Sequence, residues 1–461
     1  MVDAARYLWL ENAYLPGGWK DGIRLGINAE GDIVSLRQEK HEAGDERIHG
    51  AVIPGMPNLH SHAFQRAFAG LTERRGSQGT DNFWTWREVL HHFVTGLTPD
   101  THEAIARQLY VEMLKAGYTA VGEFHYLHLA PDGSRYADPA EMSFRLVAAA
   151  EHTGIGMTLL PVLYSVGGYR GAEINAGQRR YVMGTEQFLD LVQALQTSNR
   201  SNKQMRIGIA PHSVRQVPPE PLFEVLNGAR DIDPAIPTHI HTAEQLIDVD
   251  EHVAATGARP VEWLLANAPV DERWCLIHAT HIDASEITGM ARAGATVGLC
   301  PTTEANLGDG IFPLESFLCE GGNWGIGSDS HVSVSPVEEL RWLEYGRRLV
   351  THSRNIAAPD LGGSTGARLF EQALQGGALA LDRPIGSLEI GNRADLAVLD
   401  TNHPLLYGRD GNMLLDTWIF SGNEPMVRHV MVGGRWVVRD GSHANEKSIA
   451  EEYKKALSLS K

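Results

Sequence analysis

Eight short apolar runs, each bounded by turn residues, constrain the fold of this chain more than any other feature. They are AVIPGMPNLH (51–60), TAVGEF (119–124), GMTLLPVLY (156–164), MRIGIAPH (205–212), AIPTHIHT (235–242), WCLIHAT (274–280), ATVGLCP (295–301) and NWGIGSDS (323–330). Their shortness and continuous apolarity fit strands buried on both faces of a parallel sheet. Helical patterns lie between most of them. PDTHEAIARQLYVEMLKAG (99–117), PAEMSFRLVAAAEHTG (139–154), TEQFLDLVQALQ (185–196) and ASEITGMARAG (284–294) are examples, several ending in a helix-stopping glycine. Eight strand–helix alternations predict an α/β fold with a closed (β/α)8 barrel of the TIM type over residues 53–384. An open doubly wound sheet is the rival, and it would bring a glycine-rich phosphate loop early in the chain, where none stands.

Both ends read differently. Residues 1–52 contain YLWLENAYL and IRLGINAEGDIVSLRQ, with strand-like alternation and a turn at Glu30-Gly31-Asp32. Residues 385–461 contain IGSLEIGNRADLAVLD and VRHVMVGGRWVVRDG, also β-rich, then NEKSIAEEYKKALSLSK, which reads as a helix. A smaller β-sandwich domain built from 1–52 and 385–461, with a C-terminal helix, is expected around the inserted barrel. The longest irregular stretch is 63–98. Its Phe83, Trp84 and Trp86 favour a packed cover over an active site.

Composition narrows the partners. The 461 residues carry 40 basic and 57 acidic side chains, a net charge of −17, which argues against nucleic acid or an anionic membrane. A small-molecule substrate is expected instead. Cys275, Cys300 and Cys319 are too few and too scattered for a disulfide framework or a CxxC zinc site, which fits a cytoplasmic protein. The first residues lack a basic segment, so no signal peptide is expected. No run approaches 18 apolar residues, so no membrane span is expected either.

Four of the eight runs end in metal-binding residue types: His60-x-His62, His239-x-His241-x-x-Glu244, His278 and Asp329. Residues i and i+2 of a strand face one side, so two imidazoles of an HxH can reach one ion. A single HxH among 21 histidines is weak, and satisfied core or surface histidines explain it better in isolation. In the second pair, one histidine can be a ligand and the other a packed neighbour. Asp329 can be a helix N-cap, and Glu244 a first-turn helix carboxylate. Convergence at strand ends of one eight-strand pattern is what favours a metal site. Imidazoles and a carboxylate suit Zn²⁺, with Fe²⁺ as the alternative. The fourth run ends in Pro211-His212, not lysine, so a carbamylated lysine bridging two metals is not expected, and one ion per subunit is.

With these residues in view, the chain resembles the amidohydrolase superfamily, in its mononuclear deaminase branch. The segments that carry the resemblance are Pro54-Gly55-Met56-Pro57-Asn58-Leu59-His60-Ser61-His62, His239-x-His241-x-x-Glu244, Gly327-Ser328-Asp329, GNRADLAVLD and VGGRWV. The resemblance implies His60, His62, His241 and Asp329 as metal ligands and Glu244 and His278 as acid–base and polarising groups. HSHAFQRAFAGLTERRG, EFHYLHL, LLPVLYSVGGY, IAPHSVRQV, THIHTAEQ and GSDSHVS are similar to members that act on a linear amidine with two carboxylates. Those enzymes hydrolyse N-formimino-L-glutamate to N-formyl-L-glutamate and ammonia in histidine degradation. What this likeness implies for substrate binding falls on Gln65, Arg87, Tyr126, His212 and Arg215, and it suggests a homodimer.

The chemistry is consistent with those residues. Zn²⁺ lowers the pKa of bound water to roughly 7, Asp329 can accept its proton, Glu244 can relay protons to the leaving nitrogen, and His278 can steady the developing oxyanion. His281 competes with His278 for that role. Arginine suits carboxylates because its planar fork bonds two oxygens; the bland alternative for Arg87 and Arg215 is a solvated surface. His125 and His128 read as packing groups. The main rival function is deamination of guanine or a related aromatic base, which would share the metal and acid–base set. A non-catalytic barrel protein would be expected to have a broken ligand set.

Overall fold

In a computed structural model of the chain, residues 4–75, 81–359 and 361–459 are described. The N-terminal segment forms β1 (Arg6–Leu15), β2 (Gly18–Ile27), β3 (Ile33–Gln38) and β4 (Glu46–Pro54). Nine short strands follow: β5 (Met56–Ser61), β6 (Tyr118–His125), β7 (Gly156–Leu163), β8 (Met205–Ile207), β9 (Ala210–Pro211), β10 (Thr238–Thr242), β11 (Trp274–His278), β12 (Thr296–Leu299) and β13 (Asn323–Ile326). The C-terminal segment adds β14 (Leu396–Leu399), β15 (Val427–Val432), β16 (Arg435–Arg439) and β17 (Ser442–His443).

The middle strands make two parallel arcs, β5-β6-β7-β8 with β9 on β7, and β10-β11-β12-β13. Isolated parallel bridges tie their edges: Ser61 to Asp329 on one side, Ile209 to Thr238 and Ser213 to His241 on the other. Helices alternate with these strands. α1 (Phe83–Val94) and α2 (Pro99–Ala116) follow β5, α3 (Glu141–Thr153) follows β6, α4 (Thr185–Asn199) β7, and α5 (Pro219–Ile232) β9. α6 (Leu246–Thr256) and α7 (Pro260–Asn267) follow β10, α8 (Ala284–Ala293) β11, α9 (Pro301–Leu307) and α10 (Leu314–Cys319) β12, and α11 (Pro336–Thr351) and α12 (Thr365–Leu381) β13. Local chemistry sets their ends. Thr98 caps α2 through the Thr101 amide at 3.2 Å, and Gly117, at φ +102°, closes it in a conformation that suits glycine. Apart from the half-buried Arg206 and Asn323 the strands are buried, and Trp274 and Trp324 sit in the core between sheet and helices.

The two chain ends share one ladder of eight strands, in the order β17-β16-β15-β14-β4-β1-β2-β3. Its own apolar cluster joins Leu8, Leu10, Ile23, Leu25, Ile48 and Val52 to Leu396, Val398 and Met431. α13 (Asn412–Phe420) and α14 (Glu446–Leu459) complete the C-terminal part. Among the described residues, no helix is long and apolar enough to cross a membrane.

Two sequence expectations change here. The run 51–60 reads as one strand, but it breaks at Gly55. Ile53 and Pro54 pair with Ala397 and Leu396 in the terminal sheet, past the expected boundary at 52, and Met56 begins the parallel arc. Gly55 is needed at the crossover, because a Cβ there would stand 2.1 Å from the Thr119 side chain. The stretch 63–98 is less irregular than its sequence suggests. It holds a 3-10 turn at Ala63–Ala67 and α1, whose N-cap Asn82 accepts from the Trp84 and Thr85 amides. Residues 76–80, in the middle of the expected cover, lie outside the described residues.

His125 and His128 pack with His102 away from the metal-binding residue types, with ring centroids 5.6 Å (His102–His125) and 5.0 Å (His125–His128) apart. Burial pushes His102 down to about 3 and His128 down to about 4, and it also drives His125 far below its ordinary value. The folded state therefore excludes protons that the unfolded chain takes up below its ordinary histidine pKa of about 6.5. Stability is unaffected by these groups above that pH and falls as pH drops from there toward the folded values. Both ring nitrogens of His102 are buried without partners, so His102→Leu removes one excluded proton site at no hydrogen-bond cost. Denaturant titrations at several pH values should show the variant gaining about 1.4 kcal/mol per pH unit over the parent below pH ~6.5. Parallel pH dependences would refute the neutral, buried assignment of His102.

Candidate metal centre and active site

The metal-ligand and acid–base candidates stand at the C-terminal ends of parallel strands or in the loops just after them. His60 is the penultimate residue of β5 and His62 lies one residue past its end; His241 lies on β10, His278 ends β11, and Asp329 follows β13. His60, His62 and His241 bring one ring nitrogen each within 4.8 Å of one another, as do His60, His278 and Asp329 through nitrogen and carboxylate atoms. Asp329 Oδ1 is 3.5 Å from His60 Nε2 and 3.3 Å from His62 Nε2, and His60 Nε2 is 3.1 Å from His241 Nε2.

Hydrogen bonds behind the rings set which nitrogen is free. His62 Nδ1 donates to the Phe124 carbonyl at 2.9 Å, and His241 Nδ1 donates to the His212 carbonyl at 3.1 Å. A carbonyl only accepts, so both rings keep Nε2 as a lone pair aimed into the cluster. His60 Nδ1 is buried without a partner. Three imidazole nitrogens and one carboxylate therefore converge in a buried place where they leave each other poorly satisfied. A cation of the Zn²⁺ or Fe²⁺ class resolves that conflict, so the residues fit the group. Burial pushes His60 down to about 3. Burial alone would raise Asp329, but the His60 hydrogen bond and the charges of His60, His62 and His278 hold its carboxyl well below the ordinary range.

The segments that carry these candidate ligands are bolted together. Asp329 N donates to the His60 carbonyl at 3.0 Å, and His62 N to the Asp329 carbonyl at 3.2 Å. Beneath them, Asn58 Nδ2 donates to Ser328 Oγ at 2.6 Å, and His331 bridges Ser328 Oγ (3.0 Å) to Ser61 Oγ (3.1 Å). Ser61 Oγ donates on to Glu123 at 2.6 Å, and Glu123 also takes the Ala63 amide at 2.7 Å and the Tyr110 hydroxyl at 3.2 Å. Burial still pushes Glu123 up to about 7. Ala243, His278, Ala279, Asp329 and His331 all hold positive φ, from +45° to +69°. Strain of about 1–3 kcal/mol at each such residue persists only where surrounding structure enforces it, and here it gathers around one site.

His278 sits between three carboxylates. Its Nε2 is 3.7 Å from Glu244 Oε1 and 3.8 Å from Asp329 Oδ2, and its Nδ1 is 3.2 Å from Glu304 Oε1. Burial opposes a charge on it, but these acids lift it to about 10. Glu244 is pushed upward by burial, with His278 pulling the other way. The competing His281 spends its Nε2 on the Asp309 carbonyl at 2.7 Å and turns away from the cluster. His239 likewise donates Nε2 to the Ala380 carbonyl at 2.8 Å and points into the core.

The cavity above the cluster is lined by all five expected substrate residues, Gln65, Arg87, Tyr126, His212 and Arg215, together with Phe83, Trp86, Tyr164, Tyr181 and Leu307. Gln65 Nε2 donates to the Tyr126 hydroxyl at 3.0 Å, and Arg87 to the Tyr164 hydroxyl at 2.8 Å. Trp84 presents its ring to both guanidinium groups, at 5.6 Å for Arg87 and 5.3 Å for Arg215. Neither arginine is a solvated surface residue. Arg215 is buried and ion-paired with Asp248, while no carboxylate pairs with Arg87 among the described residues. His212 is kept neutral, its pKa driven down by burial and by the two arginines.

The model of the amidohydrolase family matches residues 51–437. The chain belongs to the amidohydrolase family. A formimidoylglutamate deiminase from Pseudomonas aeruginosa is 52% identical over 98% of both chains. A 5-methylthioadenosine/S-adenosylhomocysteine deaminase from Natronomonas pharaonis is 29% identical over 90% of this chain and 88% of its own. Among solved structures, an amidohydrolase from Brucella melitensis superposes with a TM-score of 0.93 at 44% identity, covering 99% of each chain. An adenosine deaminase from Xanthomonas campestris with bound zinc shares the fold, with a TM-score of 0.82 at 19% identity over 99% of this chain and 98% of its own.

In this amidohydrolase, residues that sequence reasoning did not single out complete the site. Glu304, on α9, orients His278 and also accepts the Cys300 amide at 2.9 Å. Tyr164 and Tyr181 line the cavity. The signal for Glu304 was present, since a carboxylate five residues past the end of a buried parallel strand invites scrutiny, but the run TTEANLG reads equally well as an ordinary helix start.

Proposed function

We propose that this chain is a formimidoylglutamate deiminase that hydrolyses N-formimino-L-glutamate to N-formyl-L-glutamate and ammonia, as a step of histidine degradation. The observation that carries the reading is the 52% identity over 98% of both chains to the Pseudomonas aeruginosa deiminase, and the two arginines in the cavity give it a chemical basis. The strand–helix alternation and the bridges between the two arcs support a closed (β/α)8 barrel over 53–384. Segments 1–52 and 385–461 would form the β-sandwich domain, with its junction strand running on to Pro54. One zinc ion per subunit, a homodimer and a cytoplasmic location go with this reading.

His60, His62, His241 and Asp329 would hold the ion, which supplies the Lewis acidity that makes water nucleophilic near neutral pH. The substrate's formimino group enters beside Glu244 and His278. A C–O bond forms at the formimino carbon as the C=N bond opens. Glu244 accepts a proton from the water and returns it to the terminal nitrogen; Asp329 is placed to take the second. His278 donates Nε2–H to the new oxygen, where negative charge develops. The C–N bond to the terminal nitrogen then breaks. Both water protons end on that nitrogen, which leaves as ammonia. Arg87 and Arg215 hold the two carboxylates, Gln65 and Tyr126 flank the formimino end, and neutral His212 keeps a further positive charge out of the cavity.

Deamination of guanine or a related base has the aromatic lining in its favour and the two arginines against it. Ammonia release from zinc-loaded protein given N-formimino-L-glutamate, guanine and cytosine decides between them. Release from a base alone would end the deiminase reading. Arg215→Ala should raise KM for N-formimino-L-glutamate by roughly 10- to 100-fold with a smaller change in kcat, the factor of a hydrogen bond to a charged group. The same variant should melt earlier, because Asp248 is left buried and unpaired. An unchanged KM would place carboxylate recognition elsewhere.

A further inference from the structure

The cavity holds more hydrogen-bond donors than its own residues can use. The Tyr181 hydroxyl is buried and has no partner, although Tyr181 lines the cavity. Its ring packs edge-on against Tyr126 at 4.8 Å and Tyr164 at 5.7 Å. The Tyr164 hydroxyl accepts twice, from Arg87 at 2.8 Å and from Gln178 Nε2 at 2.6 Å. Gln178 cannot turn its amide to accept instead. Its Nε2 also donates to the Gly167 carbonyl at 3.0 Å, and its Oε1 accepts the Asn175 amide at 3.0 Å. A phenol that accepts from two N–H groups has its own proton left to give. Arg87 adds a guanidinium with no carboxylate partner among the described residues.

Three groups with a proton to give, the Tyr164 and Tyr181 hydroxyls and the Arg87 guanidinium, therefore line one cavity. Buried polar groups left unmatched need an explanation, and the complement to this set is a group that only accepts. A carboxylate is such a group, with two acceptor oxygens, no proton to give and a charge that matches the guanidinium. We propose that the Tyr164 and Tyr181 hydroxyls join Arg87 as the seat of one substrate carboxylate, separate from that at Arg215. This assignment rests on the deiminase reading for the identity of the substrate, but the seat itself is a dicarboxylate site whatever the reaction.

Tyr181→Phe removes one oxygen and keeps the ring packing. On N-formimino-L-glutamate the variant should show KM raised roughly 10- to 100-fold, as for loss of a hydrogen bond to a charged group, with kcat within about twofold of the parent. Glutarate binding, followed by calorimetry on the zinc-loaded protein, should weaken by a similar factor. The melting temperature should stay level or rise, because an unmatched buried hydroxyl is removed. A merely structural tyrosine would give the opposite pattern, a lower melting temperature with unchanged KM and glutarate affinity, and that result overturns the proposal. If the parent turns over no N-formimino-L-glutamate, the deiminase reading fails, and glutarate affinity still decides the seat: weaker binding in the variant supports it, while equal binding or none in the parent overturns it.

Discussion

Replacing Glu244 with Gln should lower kcat by roughly 10²- to 10⁴-fold, the range that a positioned proton-transfer group supplies, while the bound metal stays at one ion per chain. The two readouts separate because Glu244 stands beside the ligand cluster and not in it. Its Oε1 lies 3.7 Å from His278 Nε2, and the ligand groupings of His60, His62, His241 and Asp329 close without it. Burial lifts its pKa, so it is placed to exchange protons nearer neutral pH than an exposed glutamate. Gln keeps the shape and one acceptor oxygen but cannot carry a proton between water and nitrogen. Metal analysis on the purified variant, set beside its steady-state ammonia release, checks both halves. Near-parental turnover would remove Glu244 from the reaction, and lost metal would make it part of the ion's support.

Much of this candidate site was legible in the sequence because its candidate ligands obey local periodicity. His60 and His62 are two apart on a strand end, and His241 and Asp329 end other apolar runs, so counting strands was enough to bring them to one rim. What sequence could not supply is whatever depends on contacts across the sheet. Asn58 and Ser328 bolt the ligand segments together from positions 270 apart, and neither has a local pattern that marks it. Arg215 was readable as a candidate carboxylate binder, but its buried pairing with Asp248 depends on how α6 returns over the strand end. Tyr181 follows a loop whose course sets its ring in the cavity, and an aromatic residue in such a loop carries no period to read. The break at Gly55 was hidden for a related reason. Two strands of different sheets abut with one residue between them, so apolarity runs on across a boundary that only pairing partners define.

The same distance in sequence explains why Glu304 matters to the second large effect. His278→Asn should lower kcat by roughly 10²- to 10³-fold, comparable to losing a donor at a developing oxyanion, and Glu304→Gln should reproduce part of that loss with His278 intact. Glu304 accepts from His278 Nδ1 at 3.2 Å and from the Cys300 amide at 2.9 Å, so it fixes the ring from behind and leaves Nε2 facing Glu244 and Asp329. It also contributes to the field that lifts His278 to about 10, keeping Nε2 a donor. Gln can still accept from Nδ1 but brings no negative charge, so a drop of roughly tenfold or more, the lower range for losing a partner behind a working histidine, would measure the charge alone. The double variant His278→Asn, Glu304→Gln should then be no slower than His278→Asn, because Glu304 acts through the ring it orients. Additive losses would mean that Glu304 has a separate part in the reaction, and a fully active Glu304→Gln would show that the backbone strain at His278 positions the ring unaided.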